Sequence, residues 1–149
     1  MRSAPAPGLA KRLGRLGLGL AALAGPAAAQ DEVPFVTTPD RVTLAMLELA
    51  GVGPADYVID LGSGDGRIVI RAAQKYGVRA IGIEMDRLLL DKAHKDAKAA
   101  GVSHLVQFRA EDAMKTDLTK ATVVTLYLLS SSNMRLRPLL TAQLRPLPA

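Results

Sequence analysis

The fold is decided by residues 57–67, which read YVIDLGSGDGR. The run Tyr57–Leu61 is apolar apart from Asp60, a pattern typical of a strand buried on both faces of a parallel sheet. Three glycines at alternate positions follow as a turn, and Arg67 begins a segment long enough for a helix. The stretch therefore predicts a strand, a glycine-rich turn and a helix, the opening of a βαβ unit.

Strand and helix patterns alternate on both sides of this stretch. Upstream, Thr38 is predicted to cap a first helix that has Pro39 at its first position and ends near Gly51. Downstream, the apolar runs and the capping residues predict further strands at 79–84, 104–109 and 121–129, and helices at 67–77, 87–100 and 134–144. The alternation favours an α/β domain with a parallel sheet over a mixed α+β domain.

Composition restricts the functions that the chain can have. Its 149 residues suit one domain, and no cysteine and two histidines leave a metal site without its usual ligands. Of the net charge of +5, residues 30–149 carry only +1, because the first 29 residues hold four basic residues and no acid. With 3% aromatic residues, this near-neutral body is unlike a nucleic-acid-binding protein, so we expect neither a metal nor a nucleic-acid partner.

The first 29 residues have the three-part pattern of an export signal. Basic residues precede an apolar run at 16–24, and Ala27 and Ala29 occupy the small-residue positions of a cleavage site. Cleavage would leave a mature chain that starts at Gln30 and is periplasmic or secreted. A retained segment close to a membrane and an organellar presequence are the alternatives, the latter leaving the chain inside the cell.

Candidate binding residues follow the strands, because ligands of open parallel sheets bind beyond the carboxyl ends of the strands. The acids at these positions are Asp60, Glu84 and Asp112. Glu84 is placed to accept hydrogen bonds from ribose hydroxyls, and Asp112 from an adenine amino group. The glycine-rich turn contributes Gly62, Ser63, Gly64 and Gly66, and its glycines are expected to leave a bare ridge on which a flat ligand lies.

The charges around the turn discriminate between cofactors. A dinucleotide site needs a glycine at position 67, where this chain has Arg67. Asp60 and Asp65 would repel a pyrophosphate but attract a ligand that carries an ammonium and a sulfonium. The site therefore favours S-adenosyl-L-methionine over a nicotinamide cofactor, while a turn cap at Asp60 and a solvated strand end at Glu84 are the ordinary structural alternatives.

At this point the sequence resembles the class I S-adenosylmethionine-dependent methyltransferases. Within them, residues 33–39 (VPFVTTP), 60–70 (DLGSGDGRIVI) and 123–129 (VVTLYLL) are similar to the bacterial relatives of the ATP synthase c-subunit lysine N-methyltransferases. The resemblance covers residues 33–145. It implies a Rossmann-like sheet of order 3-2-1-4, cofactor contacts at the residues named above, and methyl transfer to a protein lysine.

The resemblance also implies strands beyond those that the sequence predicts. The methyltransferase fold has seven strands and only four are predicted here, so residues 30–149 are expected to form a cofactor-binding domain truncated at its C-terminus. The fourth strand would then lie at an open edge of the sheet.

The acceptor side of the site is the least specified by sequence. Phe35 and Tyr127 are candidates to line a channel for the acceptor, and Asn133 to contact it, with packing or helix capping as the alternative for each. A small-molecule acceptor is the second hypothesis. A third is a non-catalytic remnant that binds adenosine ligands or partner proteins.

Overall fold

Parallel strands alternate with helices along the chain. The computed structural model describes residues 37–144, so the predictions for residues 1–29 and Phe35 lie outside the described residues. In chain order the elements are α1 (Asp40–Leu49), β1 (Tyr57–Leu61), α2 (Arg67–Tyr76), β2 (Arg79–Glu84), α3 (Arg87–Ala99), β3 (Val106–Ala110), a 3-10 turn (Ala113–Lys115), β4 (Val123–Leu126) and α4 (Ser130–Gln143).

The four described strands form one parallel sheet in the order β3-β2-β1-β4. Asp60 on β1 lies between Gly82 of β2 and Thr125 of β4, and Glu84 at the end of β2 pairs with Ala110 of β3. The predicted α/β class and the strand order 3-2-1-4 are both confirmed. This register places the carboxyl ends of β1, β2 and β3 side by side.

Apolar layers cover both faces of the sheet. Val58 and Ala80 face a cluster with α1, α2 and α3, whereas Ile59 and Ile83 face a cluster that includes Leu136 of α4. Neighbouring residues of β1 thus point into opposite layers, which explains why the strand is apolar almost throughout. Among the helices of residues 37–144, none is both long and apolar enough to cross a lipid bilayer.

Some element boundaries differ from those predicted. Helix α1 begins at Asp40 with Pro39 before it and no side-chain cap, so the assignment of Thr38 as the cap is wrong. Strand β4 ends at Leu126 because its register partner, Leu61, is the last residue of β1. Helix α4 therefore begins at Ser130, four residues before the predicted start, and continues through Pro138.

Gly66 allows the turn after β1 to pack under an aromatic ring. Its φ of +77° lies in the left-handed region, and a methyl group added to it would be 2.4 Å from Cε1 of Phe108. Phe108 also packs edge-on against His94 of α3, with their ring centroids 5.1 Å apart. Gly66 thus serves both the conformation of the turn and its packing against β3 and α3.

Replacing Gly66 by alanine should destabilise the fold more than the same change at Gly77. Gly77 has a similar φ of +67°, but no atom lies within 4 Å of the added methyl group. We expect Gly77→Ala to cost about 1 kcal/mol from backbone strain, and Gly66→Ala to cost about 1–3 kcal/mol more from overpacking. Urea unfolding measures both, and equal costs would contradict the proposed role of Phe108.

Candidate functional site

The glycine-rich turn after β1 is fastened to the end of β2. The amides of Gly62 and Ser63 both donate to the carbonyl oxygen of Ile83, at 2.9 and 2.8 Å. The next amide of the turn, that of Gly64, donates to Oε2 of Glu84 at 2.9 Å. The turn and the strand end that carries the predicted ribose-binding acid are therefore one hydrogen-bonded unit.

Backbone amides hold the Glu84 carboxylate in place. Besides the bond from Gly64, its Oε1 accepts from the amides of Met85 and Asp86, at 2.8 and 3.0 Å. Asp86 in turn caps α3 by accepting from the amides of Leu88 and Leu89. Glu84 is thus an oriented carboxylate at the carboxyl edge of the sheet, rather than a freely solvated strand end.

Asp60 is a buried acid without a cationic partner in residues 37–144. Its side chain is 1% exposed, and one side-chain hydrogen bond reaches it, from Oγ1 of Thr125 to Oδ1 at 2.6 Å. Burial, opposed by the hydrogen bond from Thr125 and assisted by the charge of Glu84, raises the pKa of Asp60 to about 7. Asp60 is therefore not a turn cap but an uncompensated acid beneath the glycine-rich turn.

Asp65, on the same turn, is compensated. Arg67 donates to both its oxygens, at 3.0 and 2.7 Å, and Nζ of Lys92 lies 3.6 Å away. Burial acts to raise the pKa of Asp65, but the hydrogen bonds and charge of Arg67, together with the charge of Lys92, outweigh it and lower this pKa. The charge of Asp65 is therefore already paired, which argues against the expectation that it attracts a cationic ligand.

Arg67 has a structural role at the position where a dinucleotide motif would have its last glycine. Its Nη1 donates to the carbonyl oxygen of Thr38, at 2.9 Å, just before α1. The guanidinium therefore joins the turn to the segment that leads into α1, a role that glycine at this position cannot perform. From the sequence, Arg67 was evidence only against a dinucleotide-binding site, and its contact with Thr38 was not predicted.

The glycines do not leave the bare ridge that we expected. A methyl group at Gly62 would lie 2.5 Å from Cδ2 of Leu128, and Phe108 fills the corresponding space at Gly66. These two positions are closed by protein side chains, so that expectation is wrong for them. Ser63 is buried, and its hydroxyl has no hydrogen-bond partner in the described part of the chain.

Asp112 follows the strand that pairs with the end of β2, as predicted, and it also has a structural role. It follows β3, whose Ala110 pairs with Glu84. Its Oδ1 accepts from the amide of Met114 at 2.9 Å and so caps the 3-10 turn. The structure thus brings Asp60, Glu84 and Asp112 to three adjacent strand ends, and the contacts of these residues with a cofactor stay a prediction.

The acceptor-side candidates follow β4. Tyr127 is 42% exposed. Asn133 lies in the first turn of α4, where its Nδ2 donates to the carbonyl oxygen of Leu128 at 3.3 Å. Its Oδ1 is buried and has no partner within residues 37–144. Since Leu128 packs on Gly62, Asn133 is connected to the glycine-rich turn through one residue.

Two residues near the site were not predicted. Met85 is 69% exposed, directly after Glu84, and so offers an apolar surface beside that carboxylate. Thr125 carries no signal in the sequence, since a β-branched residue is ordinary in a strand. Only the pairing of β1 with β4 shows that its hydroxyl meets Asp60.

The site suits a cationic adenosine cofactor better than a metal. Within the described residues, no group of three or more histidines or acids is placed to hold a metal ion. In contrast, the buried carboxylate of Asp60 lacks a positive partner, which the ammonium of S-adenosyl-L-methionine would supply. The residues present therefore fit this cofactor.

Comparisons with known proteins agree with the geometry. A crystal structure of an RNA methyltransferase from Salinibacter ruber in complex with S-adenosyl-L-homocysteine is 58% identical, with a TM-score of 0.73 over 74% of this chain and 72% of that chain. A protein-lysine N-methyltransferase of Saccharolobus islandicus is 39% identical over 76% of this chain and 71% of that protein. The ATP synthase c-subunit lysine N-methyltransferase of Xenopus laevis is 36% identical over 64% of this chain and 40% of that protein.

The fold, the acid-flanked turn and the relative bound to S-adenosyl-L-homocysteine define an S-adenosylmethionine-dependent methyltransferase of class I. The chain belongs to the family of the ANTKMT methyltransferase domain, whose model matches residues 60–148. The predicted family and cofactor are thereby confirmed. The chain spans about seven-tenths of the archaeal relative's length and less than half of the vertebrate one's.

The two aspartates of this region should affect stability in opposite directions. Because the pKa of Asp60 is raised to about 7, its ionisation destabilises the fold progressively as the pH rises from about 4 to about 7. The free energy of unfolding of Asp60→Asn, relative to that of the unaltered protein, should therefore rise with pH, by up to about 1.4 kcal/mol per pH unit over that range. Thermal unfolding at pH 5 and pH 8 measures the difference.

Asp65→Asn is the matched comparison. The pKa of Asp65 is lowered, so its ionised form stabilises the fold above the ordinary aspartate pKa, and this contribution is lost as the pH falls. The substitution should lower the melting temperature at pH 8, because Arg67 loses its carboxylate. A melting temperature of Asp60→Asn below that of the unaltered protein at pH 8 would contradict the account of Asp60.

Proposed function

We propose that the chain transfers a methyl group to the ε-amine of a protein lysine. The observation that carries this acceptor is the 39% identity to the protein-lysine N-methyltransferase of Saccharolobus islandicus, over 71% of that protein. The Xenopus laevis relative, named for a lysine of the ATP synthase c-subunit, supports the same acceptor class.

We assign the cofactor to Asp60, Glu84, Asp112 and the turn at 62–66. When bound, S-adenosyl-L-methionine supplies a methyl group activated by its sulfonium. Asp60 would hold the positively charged end of the cofactor, since its carboxylate is buried and has no other cation in the described residues. Glu84 would accept from ribose hydroxyls, because three amides already fix its orientation.

The acceptor amine must arrive without its proton. A lysine in water has a pKa of about 10.4, and a desolvated site favours the neutral amine that attacks the methyl carbon. Asn133 presents a buried Oδ1 with no partner in residues 37–144, which can accept an N–H of that amine and orient it. Tyr127, half-exposed beyond β4, would line the approach. Alignment and exclusion of water are then the main tasks of the protein.

RNA is the second candidate acceptor, because the Salinibacter ruber relative is described as an RNA methyltransferase. The described strand ends argue against it. They carry three partly exposed acids, Glu84, Glu111 and Asp112, where a polyanion would need positive charge. We therefore favour the lysine acceptor and treat RNA as an outcome of the test.

The acceptor is identified by offering three classes of substrate to the full chain with labelled S-adenosyl-L-methionine. The substrates are lysine-containing peptides tiled from proteins of the source cell, total RNA from the same cell, and small primary amines. We expect label in the peptides, located by mass spectrometry on the lysine side chain, and a rate that rises between pH 7 and pH 9 as the amine loses its proton.

Two variants make this experiment specific. Glu84→Gln should lower transfer to the same peptide about tenfold or more, by removing a charged hydrogen-bond acceptor. Asp91→Asn, a change on the exposed surface of α3, should leave the rate unaltered. Label that enters RNA and not the peptides would overturn the lysine proposal and favour the second candidate.

A further inference from the structure

Thr125 is a polar residue at a buried, otherwise apolar strand position. It is 5% exposed, and its neighbours on β4 are Val124 and Leu126. Burying a hydroxyl costs free energy unless it is hydrogen-bonded, so valine would be the more favourable residue if this position only needed to pack. The hydroxyl of Thr125 donates to the Oδ1 of Asp60 at 2.6 Å, and the two residues are direct register partners.

Among the described residues, no other side chain near Asp60 donates a hydrogen bond to its carboxylate. On β2, the charged group near Asp60 is Glu84, which repels a second negative charge. On the glycine-rich turn it is Asp65, which is paired with Arg67 and lies near Lys92. In residues 37–144, therefore, the Asp60 carboxylate has a single favourable side-chain contact, and it comes from β4.

We propose that Thr125 is the positioning residue of the cofactor site: its hydroxyl holds Oδ1 of Asp60 and so directs Oδ2 toward the cationic end of the cofactor. Oδ2 makes no hydrogen bond with the described residues. The inference rests on the assignment of Asp60 to the cofactor and is independent of the acceptor. It makes β4, the strand that leads to the acceptor-side residues, a determinant of cofactor affinity.

The hydroxyl also favours the ionised form of Asp60, which is the form that attracts a cation. Burial raises the pKa of Asp60 and the Thr125 bond lowers it, and with that bond in place the pKa is about 7. Without the hydroxyl, Asp60 should hold its proton to higher pH, and binding should require that higher pH. A purely structural role for Thr125 would change the stability of the fold but not the pH at which the cofactor binds.

The test is calorimetric titration of the full chain with S-adenosyl-L-homocysteine from pH 5.5 to pH 8.5. Thr125→Val keeps the shape and removes the hydroxyl, whereas Thr125→Ser keeps the hydroxyl. We expect Thr125→Val to bind about tenfold more weakly at pH 7, with the midpoint of its pH profile about one unit higher. Thr125→Ser should retain the profile of the unaltered protein.

Asp60→Asn separates the possible failures. If it binds as tightly as the unaltered protein at every pH, the assignment of Asp60 itself is wrong. If it weakens binding while Thr125→Val keeps the unaltered profile, the role of Thr125 is overturned and that of Asp60 stands. If Thr125→Val does not fold, Thr125→Ala and Thr125→Ser differ by the same hydroxyl, and equal pH profiles for these two would overturn the proposal.

Discussion

Burying a carboxylate at the end of a parallel strand opposes folding, and the rest of this site is arranged around that cost. Asp60 lies between β2 and β4 with one hydroxyl as its side-chain partner in the described residues, and its pKa is raised to about 7. A cationic ligand is the partner that would relieve this unfavourable burial. In our proposal, relief of this burial contributes to the binding energy of the cofactor.

The neighbouring acid, Asp65, shows that burial without a cationic partner is not a general property of acids in the turn. Asp65 is five residues away and also buried, yet it has Arg67 and Lys92 beside it. Through Arg67 it supports the shape of the turn and its connection to the segment before α1. One acid therefore maintains the loop, while the other has no cationic partner within residues 37–144.

Sequence patterns were sufficient for the architecture because strands, caps and glycine turns are local signals. The bounds of β2 and the start of α3 at Arg87 were predicted from such signals and are confirmed. The pairing of Asp65 with Arg67 and the contact of Leu128 with Gly62 were not predicted, since both depend on side-chain directions in the folded chain. The Asp60–Thr125 bond needed the strand order first, because 65 residues separate the two.

We infer that Asp60 is partly protonated in the free protein and gives up its proton when the cofactor binds. Calorimetric titration with S-adenosyl-L-homocysteine at pH 7, in two buffers with different ionisation enthalpies, counts the protons released. We expect release of about half a proton per site, since a group near its pKa is about half protonated, and none from Asp60→Asn. Equal binding enthalpies for the unaltered protein in both buffers would contradict it.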